Sequence, residues 1–216
     1  MARVKICGLT NPADLQAAIE AGADAVGVIC DVSVETPRAV DRSTAAALVA
    51  AVPPFVTATL VTMPEDAEHA VELVRAIQPD ALQLHGEFDA EDLGYIRAET
   101  GVKLLPVVDA AAGDRARELD AAADALLVDS TDESGAGGTG ETHDWEATAD
   151  LVEACTSPVI LAGGLTPENV ANAVAVAAPF GVDVASGVER TGGQKDHTAL
   201  ATFVRNAGRE LEVAER

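Results

Sequence analysis

The sequence predicts an α/β fold, a single-domain (β/α)8 TIM barrel spanning residues 1–216. Three observations carry that expectation. Short apolar runs and helix-period segments alternate from one end of the chain to the other, as a parallel sheet covered by helices requires. The alternation yields eight βα units with nothing left over for a second domain; 216 residues over eight units is roughly 27 each, the compact end of the barrel range. A weak repeat, Ala23-Asp24-Ala25, Pro79-Asp80-Ala81 and Ala123-Asp124-Ala125, stands before the second, fourth and sixth strands. An open doubly wound sheet also alternates strand and helix. Eight evenly used units favour closure.

The first strand, Val4–Cys7, breaks at Gly8, and Asn11-Pro12 then caps and opens a helix over 12–20. Later strands are expected at Ala25–Ile29, Phe55–Val61, Ala81–Leu84, Lys103–Val108, Ala125–Val128, Val159–Ala162 and Gly181–Ala185. Helical patterns lie between and after them, near 43–51, 65–77, 89–99, 114–122, 145–155, 167–177 and 196–206. Two long loops follow strands two and six, at 30–42 and 129–144. Loops after strands line the active face of a barrel, so the extra length marks that face as functional. The repeated aspartates sit at the opposite, N-terminal ends of their strands and are read as structural.

Side chains alternate between the two faces of a strand, which sorts the polar residues. With Val4 and Ile6 toward the helices, Lys5 and Cys7 point into the barrel. The same rule puts Gln83 and His85 inside strand four, Asp129 at the inner rim of strand six and Asp183 inside strand eight. Singly, a cysteine reads as a small core residue and an aspartate as a cap. Cys7, His85, Asp129 and Asp183 converging on one mouth read as a site. Cys155 is expected in the core, and Cys30, ending strand two, stands near the mouth without an assigned role.

Glycines add an anion site. Gly163-Gly164 follows strand seven and Ser186-Gly187 follows strand eight, the two places where barrels hold phosphate on backbone N–H groups. Gly135 to Gly140 matches G-x-G-x-x-G, yet it opens no helix and lies six residues past its strand, so it is read as a lid and not as a dinucleotide loop. Arg38, in Thr36-Pro37-Arg38, offers a planar fork to a carboxylate. His69, His85, His143 and His197 are scattered without metal-ligand spacing, so no metal is expected.

These residues, in this order, resemble the phosphoribosylanthranilate isomerase family of tryptophan biosynthesis, as found in halophiles. The resemblance runs nearly end to end, through Lys5-Ile6-Cys7-Gly8-Leu9-Thr10, Pro37-Arg38, Gln83-Leu84-His85-Gly86, Leu127-Val128-Asp129-Ser130, Ala162-Gly163-Gly164-Leu165, Ser186-Gly187-Val188-Glu189 and Lys195-Asp196-His197. It implies an Amadori rearrangement of N-(5-phosphoribosyl)anthranilate to the carboxyphenylamino-deoxyribulose phosphate, without cofactor. By that resemblance Cys7 is the general base and Asp129 the general acid. Arg38 takes the anthranilate carboxylate, Gly163, Gly164, Ser186 and Gly187 take the phosphate, and Lys5, Gln83, His85 and Asp183 complete the substrate pocket. Lys5 is expected to lower the Cys7 pKa, and Asp129 to hold a proton through burial. Two rivals remain: the sister sugar isomerase of histidine synthesis, and a non-enzymatic phosphosugar-binding barrel that would leave Cys7 and Asp129 idle.

Thirty-six acidic residues against 14 basic ones give a formal charge of −22. Nucleic acid and anionic membrane surfaces are therefore excluded as partners, and a phosphorylated small molecule needs Lys5, Arg38 and backbone N–H groups to reverse the field locally. No signal segment or membrane span is legible and the three cysteines form no disulfide framework, so the chain reads as cytoplasmic and reduced, a monomer or homodimer. So acidic a surface repels itself unless salt screens it. Thermal melts in dilute buffer and in molar KCl are expected to show the melting temperature rising steeply with salt; equal midpoints would contradict this.

Overall fold

A computed structural model of the chain describes residues 2–129 and 145–208. Eight parallel strands close into a barrel in chain order, with the eighth hydrogen-bonded back to the first. They are β1 (Arg3–Ile6), β2 (Ala25–Ile29), β3 (Thr57–Thr62), β4 (Ala81–Leu84), β5 (Lys103–Asp109), β6 (Leu126–Asp129), β7 (Val159–Leu161) and β8 (Gly181–Val184). The helices outside them are α1 (Pro12–Ala21), α2 (Arg42–Ala50), α3 (Ala67–Ile77), α4 (Ala90–Thr100), α5 (Gly113–Asp120), α6 (Trp145–Ala154), α7 (Val170–Ala177) and α8 (His197–Gly208).

Alternation along the strands builds two separate apolar layers. Val4, Ile6, Val26, Val28, Leu82, Leu84, Leu126, Val128, Val182 and Val184 belong to the large cluster between sheet and helices. Ala81, Leu105 and Ala125, with Ile160 against them, form a small cluster of their own inside the barrel. Above that floor the inner space holds polar side chains, Gln83, His85, Asp129 and Asp183, among apolar ones such as Ile29, Val61 and Met63. Acidic residues also start the helices: Asp41, Asp66 and Asp89 accept backbone N–H bonds at the head of α2, α3 and α4, where a negative charge meets the positive end of the helix dipole.

The aspartate repeat has one geometry. Asp24, Asp80 and Asp124 each turn a carboxylate oxygen to the backbone N–H of Val4, Ala58 and Leu104, at 2.9, 2.9 and 3.0 Å. Each stitches the start of one strand to its neighbour, as expected of a structural role at the N-terminal face.

Most element bounds fall within two residues of the sequence pattern, and two boundaries and one connection show why the chain departs from it. Strand three starts at Thr57, because Phe55 follows Pro53-Pro54 with a left-handed φ of 74° that no strand accepts. The seventh helix starts at Val170; before it Asn169 and Thr166 bond each other's turn, Thr166 N–H to Asn169 Oδ1 at 2.8 Å. Between β8 and α8 the chain makes a 3-10 turn, Ser186–Val188, and an antiparallel hairpin of β9 (Glu189–Thr191) and β10 (Gln194–Lys195), elements the pattern did not predict.

Candidate active site

The carboxyl ends of the strands open onto one cavity lined by Cys7, Arg38, Gln83, His85, Asp129 and Asp183 together with Gly163, Gly164, Ser186 and Gly187. Cys7 lies directly beyond β1 and is 5 % exposed. Gln83 Nε2 and His85 Nε2, on and just beyond β4, are hydrogen-bonded at 3.0 Å. Asp129 ends β6, and both it and Asp183 are buried. The structure thus brings together every residue the sequence nominated for the site except one.

That one is Lys5. It does not line the upper cavity but stands below it inside the barrel, bordering the cavity at the opposite end. Its ammonium donates to Asp183 Oδ1 at 2.9 Å, and both side chains are buried. The two residues are register partners across the β1–β8 seam, so closing the barrel makes the pair. A glycine makes room for it: a Cβ on Gly27 would lie 2.9 Å from Cys7 Sγ and 3.1 Å from Lys5 Nζ. Gly27 is a site residue that sequence reasoning missed.

The thiol's electrostatics correct an expectation. Burial pushes the Cys7 pKa up, Lys5 pulls it down, Asp183 pushes it up again, and the net position is above the ordinary thiol value. Lys5 does act in the expected direction, but its charge is already answered by Asp183. For Lys5 itself burial disfavours the cation, and the charges of Asp183 and Cys7 more than restore it.

The two glycine turns interlock. Gly163 and Gly164 have φ of 86° and 60°, conformations in which an L side chain is strained. A Cβ on Gly187 would come 1.9 Å from the carbonyl oxygen of Leu165, so the turns after β7 and β8 pack backbone to backbone. Arg38 reaches the rim from the loop after β2, its Nε and Nη2 donating to Glu189 at 3.0 and 2.8 Å. Gly8 clears its path, since a Cβ there would sit 2.8 Å from Arg38 Cδ. Glu189 also accepts from Lys195 Nζ at 2.9 Å. Neither Glu189 nor Lys195 was assigned a role from sequence; the Gly192-Gly193 pair between them was the available hairpin signal.

Cys30 follows the carboxyl end of β2, near the mouth as expected, but does not line the cavity. It is buried in the layer between barrel and helices, on the same side of its strand as Val26 and Val28. The long loop after β6 beyond Asp129, with the glycine-rich stretch 135–140 read as a lid, lies outside the described residues. Among the described residues, no cluster of His, Cys, Asp and Glu is placed to hold a metal ion, and no helix is long and apolar enough to cross a membrane.

Residues 4–206 match the family model of N-(5'-phosphoribosyl)anthranilate isomerase. The chain belongs to that family. A phosphoribosylanthranilate isomerase of Halorubrum lacusprofundi is 67 % identical over 214 residues, 99 % of this chain and 100 % of the relative; that of Haloferax volcanii is 60 % identical over 204 residues, 94 % and 92 %. The solved phosphoribosyl anthranilate isomerase of Thermotoga maritima superposes with a TM-score of 0.84 at 34 % identity, covering 96 % of this chain and 98 % of the other. Another solved isomerase, in complex with reduced 1-(o-carboxyphenylamino)-1-deoxyribulose 5-phosphate, superposes at 0.82 with 32 % identity and the same coverage. This chain is an isomerase of that family, acting on a small phosphorylated molecule.

The charge arrangement predicts how Cys7 titrates. In a Cys30→Ala/Cys155→Ala background, the rate of iodoacetamide alkylation should rise with pH to a midpoint above 9.0, the ordinary thiol value. Asp183→Asn should bring the midpoint down, because it removes a negative charge that opposes the thiolate. A wild-type midpoint below 9.0 would contradict the account.

Proposed function

We propose that the chain performs the Amadori rearrangement of N-(5'-phosphoribosyl)anthranilate to 1-(2-carboxyphenylamino)-1-deoxyribulose 5-phosphate, with Cys7 as general base and Asp129 as general acid. The observation that carries this is the placement of a thiol and a carboxyl on one cavity roofed by two interlocked glycine turns. The turns offer backbone N–H groups to the phosphate. Arg38, the cation at the rim, takes the carboxylate of the anthranilate ring. Gln83, His85 and Asp183 offer polar atoms to the sugar hydroxyls. Lys5 serves from beneath, by holding Asp183.

The chemistry divides between the two groups. Asp129 gives its proton to the ribose ring oxygen as the C1–O bond breaks, and the nitrogen lone pair closes the C1=N bond of an iminium. That positive charge acidifies the hydrogen on C2. The Cys7 thiolate takes it as a proton, and the C2–H electron pair forms the C1=C2 bond of an enolamine while the C1=N pair returns to nitrogen. Proton delivery to C1 with loss of the C2 hydroxyl proton leaves the C2 ketone. A thiol whose pKa lies above neutrality is mostly protonated in the free enzyme. The iminium next to Sγ favours loss of the thiol proton to solvent when the base is needed, so the substrate supplies the cation that Lys5 cannot spare.

All residues of the proposed site come from one chain, so the reaction works in a monomer or a homodimer. A related structure is described as monomers generated from the dimeric Thermotoga maritima enzyme. The cytoplasm, where sugar phosphates are kept, is the proposed compartment.

Anthranilate fluorescence followed during turnover tests the roles. Cys7→Ala and Asp129→Asn should each lower kcat about 10²- to 10⁴-fold, the usual contribution of a positioned acid or base, while the reduced product analogue still binds. Activity surviving both substitutions would overturn the assignment. Wild-type protein that binds the analogue and never turns over would leave a phosphosugar-binding barrel.

A further inference from the structure

Arg38 stands at the end of a chain of charges whose other members, Glu189 and Lys195, have no part in the proposed reaction. Its guanidinium is bonded to both carboxylate oxygens of Glu189. Lys195 Nζ donates to Glu189 Oε1 and to the carbonyl oxygen of Ala185, both at 2.9 Å. The Lys195 side chain is 0 % exposed and Glu189 4 %, while Arg38 is 21 % exposed and alone of the three borders the cavity. Burial disfavours the Glu189 anion, but the hydrogen bonds and charges of Arg38 and Lys195 outweigh it and keep the carboxyl ionised.

The charges decide what Arg38 can do. A guanidinium locked bidentately on one carboxylate is a neutral pair, with little attraction left for a second anion. Lys195 changes the sum: burial lowers its pKa and Glu189 opposes that, and with the ammonium charged, two cations and one anion leave a net charge of one, exposed only through Arg38. The fork is aimed by Glu189, and its charge is returned by Lys195.

Lys195 also faces the other anion site. Ala185 immediately precedes Ser186-Gly187, so one ammonium holds both the carboxylate that aims Arg38 and the carbonyl that begins the phosphate turn. Its own position is over-determined. Lys195 pairs with Glu189 across the β9–β10 hairpin, and its N–H donates to buried Asp14 at 3.0 Å. Asp14 in turn bonds His197 Nε2 at 2.8 Å. The hairpin turn clamps the Arg38 loop: a Cβ on Gly192 or Gly193 would come within 2.5 or 2.4 Å of Pro37 atoms.

We infer that Glu189 and Lys195 are positioning residues for the isomerase reaction, holding the Arg38 fork and the Ser186-Gly187 turn in register and keeping the charge of Arg38 available to the substrate carboxylate. The inference rests on the reading of Arg38 as the carboxylate site.

Steady-state kinetics test it with Arg38→Met as reference. Lys195→Gln keeps a hydrogen-bond donor but removes the charge, and should raise KM about tenfold or more while kcat changes less than about threefold. Adding Glu189→Gln restores the net charge, so the double variant should return KM to within about threefold of wild type. A merely structural role would lower the melting temperature and kcat in both variants without that reversal. Wild-type KM in Lys195→Gln, or a double variant worse than the single one, overturns the inference. If Lys195→Gln does not fold, the double variant carries the test, and a KM raised more than about tenfold overturns it. If Arg38→Met leaves KM unchanged, the carboxylate assignment itself has failed, a different outcome.

Discussion

The structure depends on one buried ion pair. Lys5 on β1 and Asp183 on β8 face each other where the barrel closes, 2.9 Å apart and out of water. Such a pair gains little over two apolar residues, because each ion pays its desolvation. Removing one partner is another matter, costing about 3–5 kcal/mol for the charge left alone. The pair therefore specifies which strands meet and in which register. It also sets the field around Cys7, which touches the Lys5 ammonium and is opposed by the Asp183 carboxylate. Gly27 completes the arrangement by contributing nothing but space.

The same economy governs the other cations. The chain has three lysines in 216 residues, and two of them, Lys5 and Lys195, are buried. Each is matched to an inward carboxylate, Asp183 or Glu189. The exterior is left strongly acidic, while inside the barrel end the two buried lysines each balance a carboxylate and Arg38 reaches the cavity. An anion approaching this protein is repelled by the bulk surface and attracted only at the mouth. Salt, which screens the first effect over about 10 Å at 0.1 M and leaves the buried pairs nearly untouched, reconciles the two demands. The relatives from Halorubrum and Haloferax belong to halophilic archaea.

Much of the fold and site was legible because both follow from period-two alternation. Once eight strands are placed, parity alone sends Gln83, Asp129 and Asp183 inward, and it would also have sent Cys30 outward with Val26 and Val28. The repeated Asp-Ala pairs announced three identical stitches at the far rim. What parity cannot show is who pairs with whom. The Lys5–Asp183 contact spans 178 positions, and the sign of the Cys7 shift depends on that contact and on burial. The β9–β10 hairpin escaped because its strands are three and two residues long, too short to show a period. Gly8, Gly27 and Gly187 are ordinary in a sequence; only their neighbours reveal that a methyl group has no place there.

The central claim is that a thiol and a carboxyl, held on opposite parts of one rim, work on a substrate fixed at both ends by anion sites. A crystal structure of this protein with the reduced product analogue tests it most directly. The account predicts the phosphate on the Gly163-Gly164 and Ser186-Gly187 turns, the ring carboxylate on Arg38, and Cys7 Sγ about 3–3.5 Å from C2, with Asp129 within hydrogen-bond reach of the former ring oxygen. A ligand with its phosphate elsewhere, or with C2 turned away from Cys7, would contradict it.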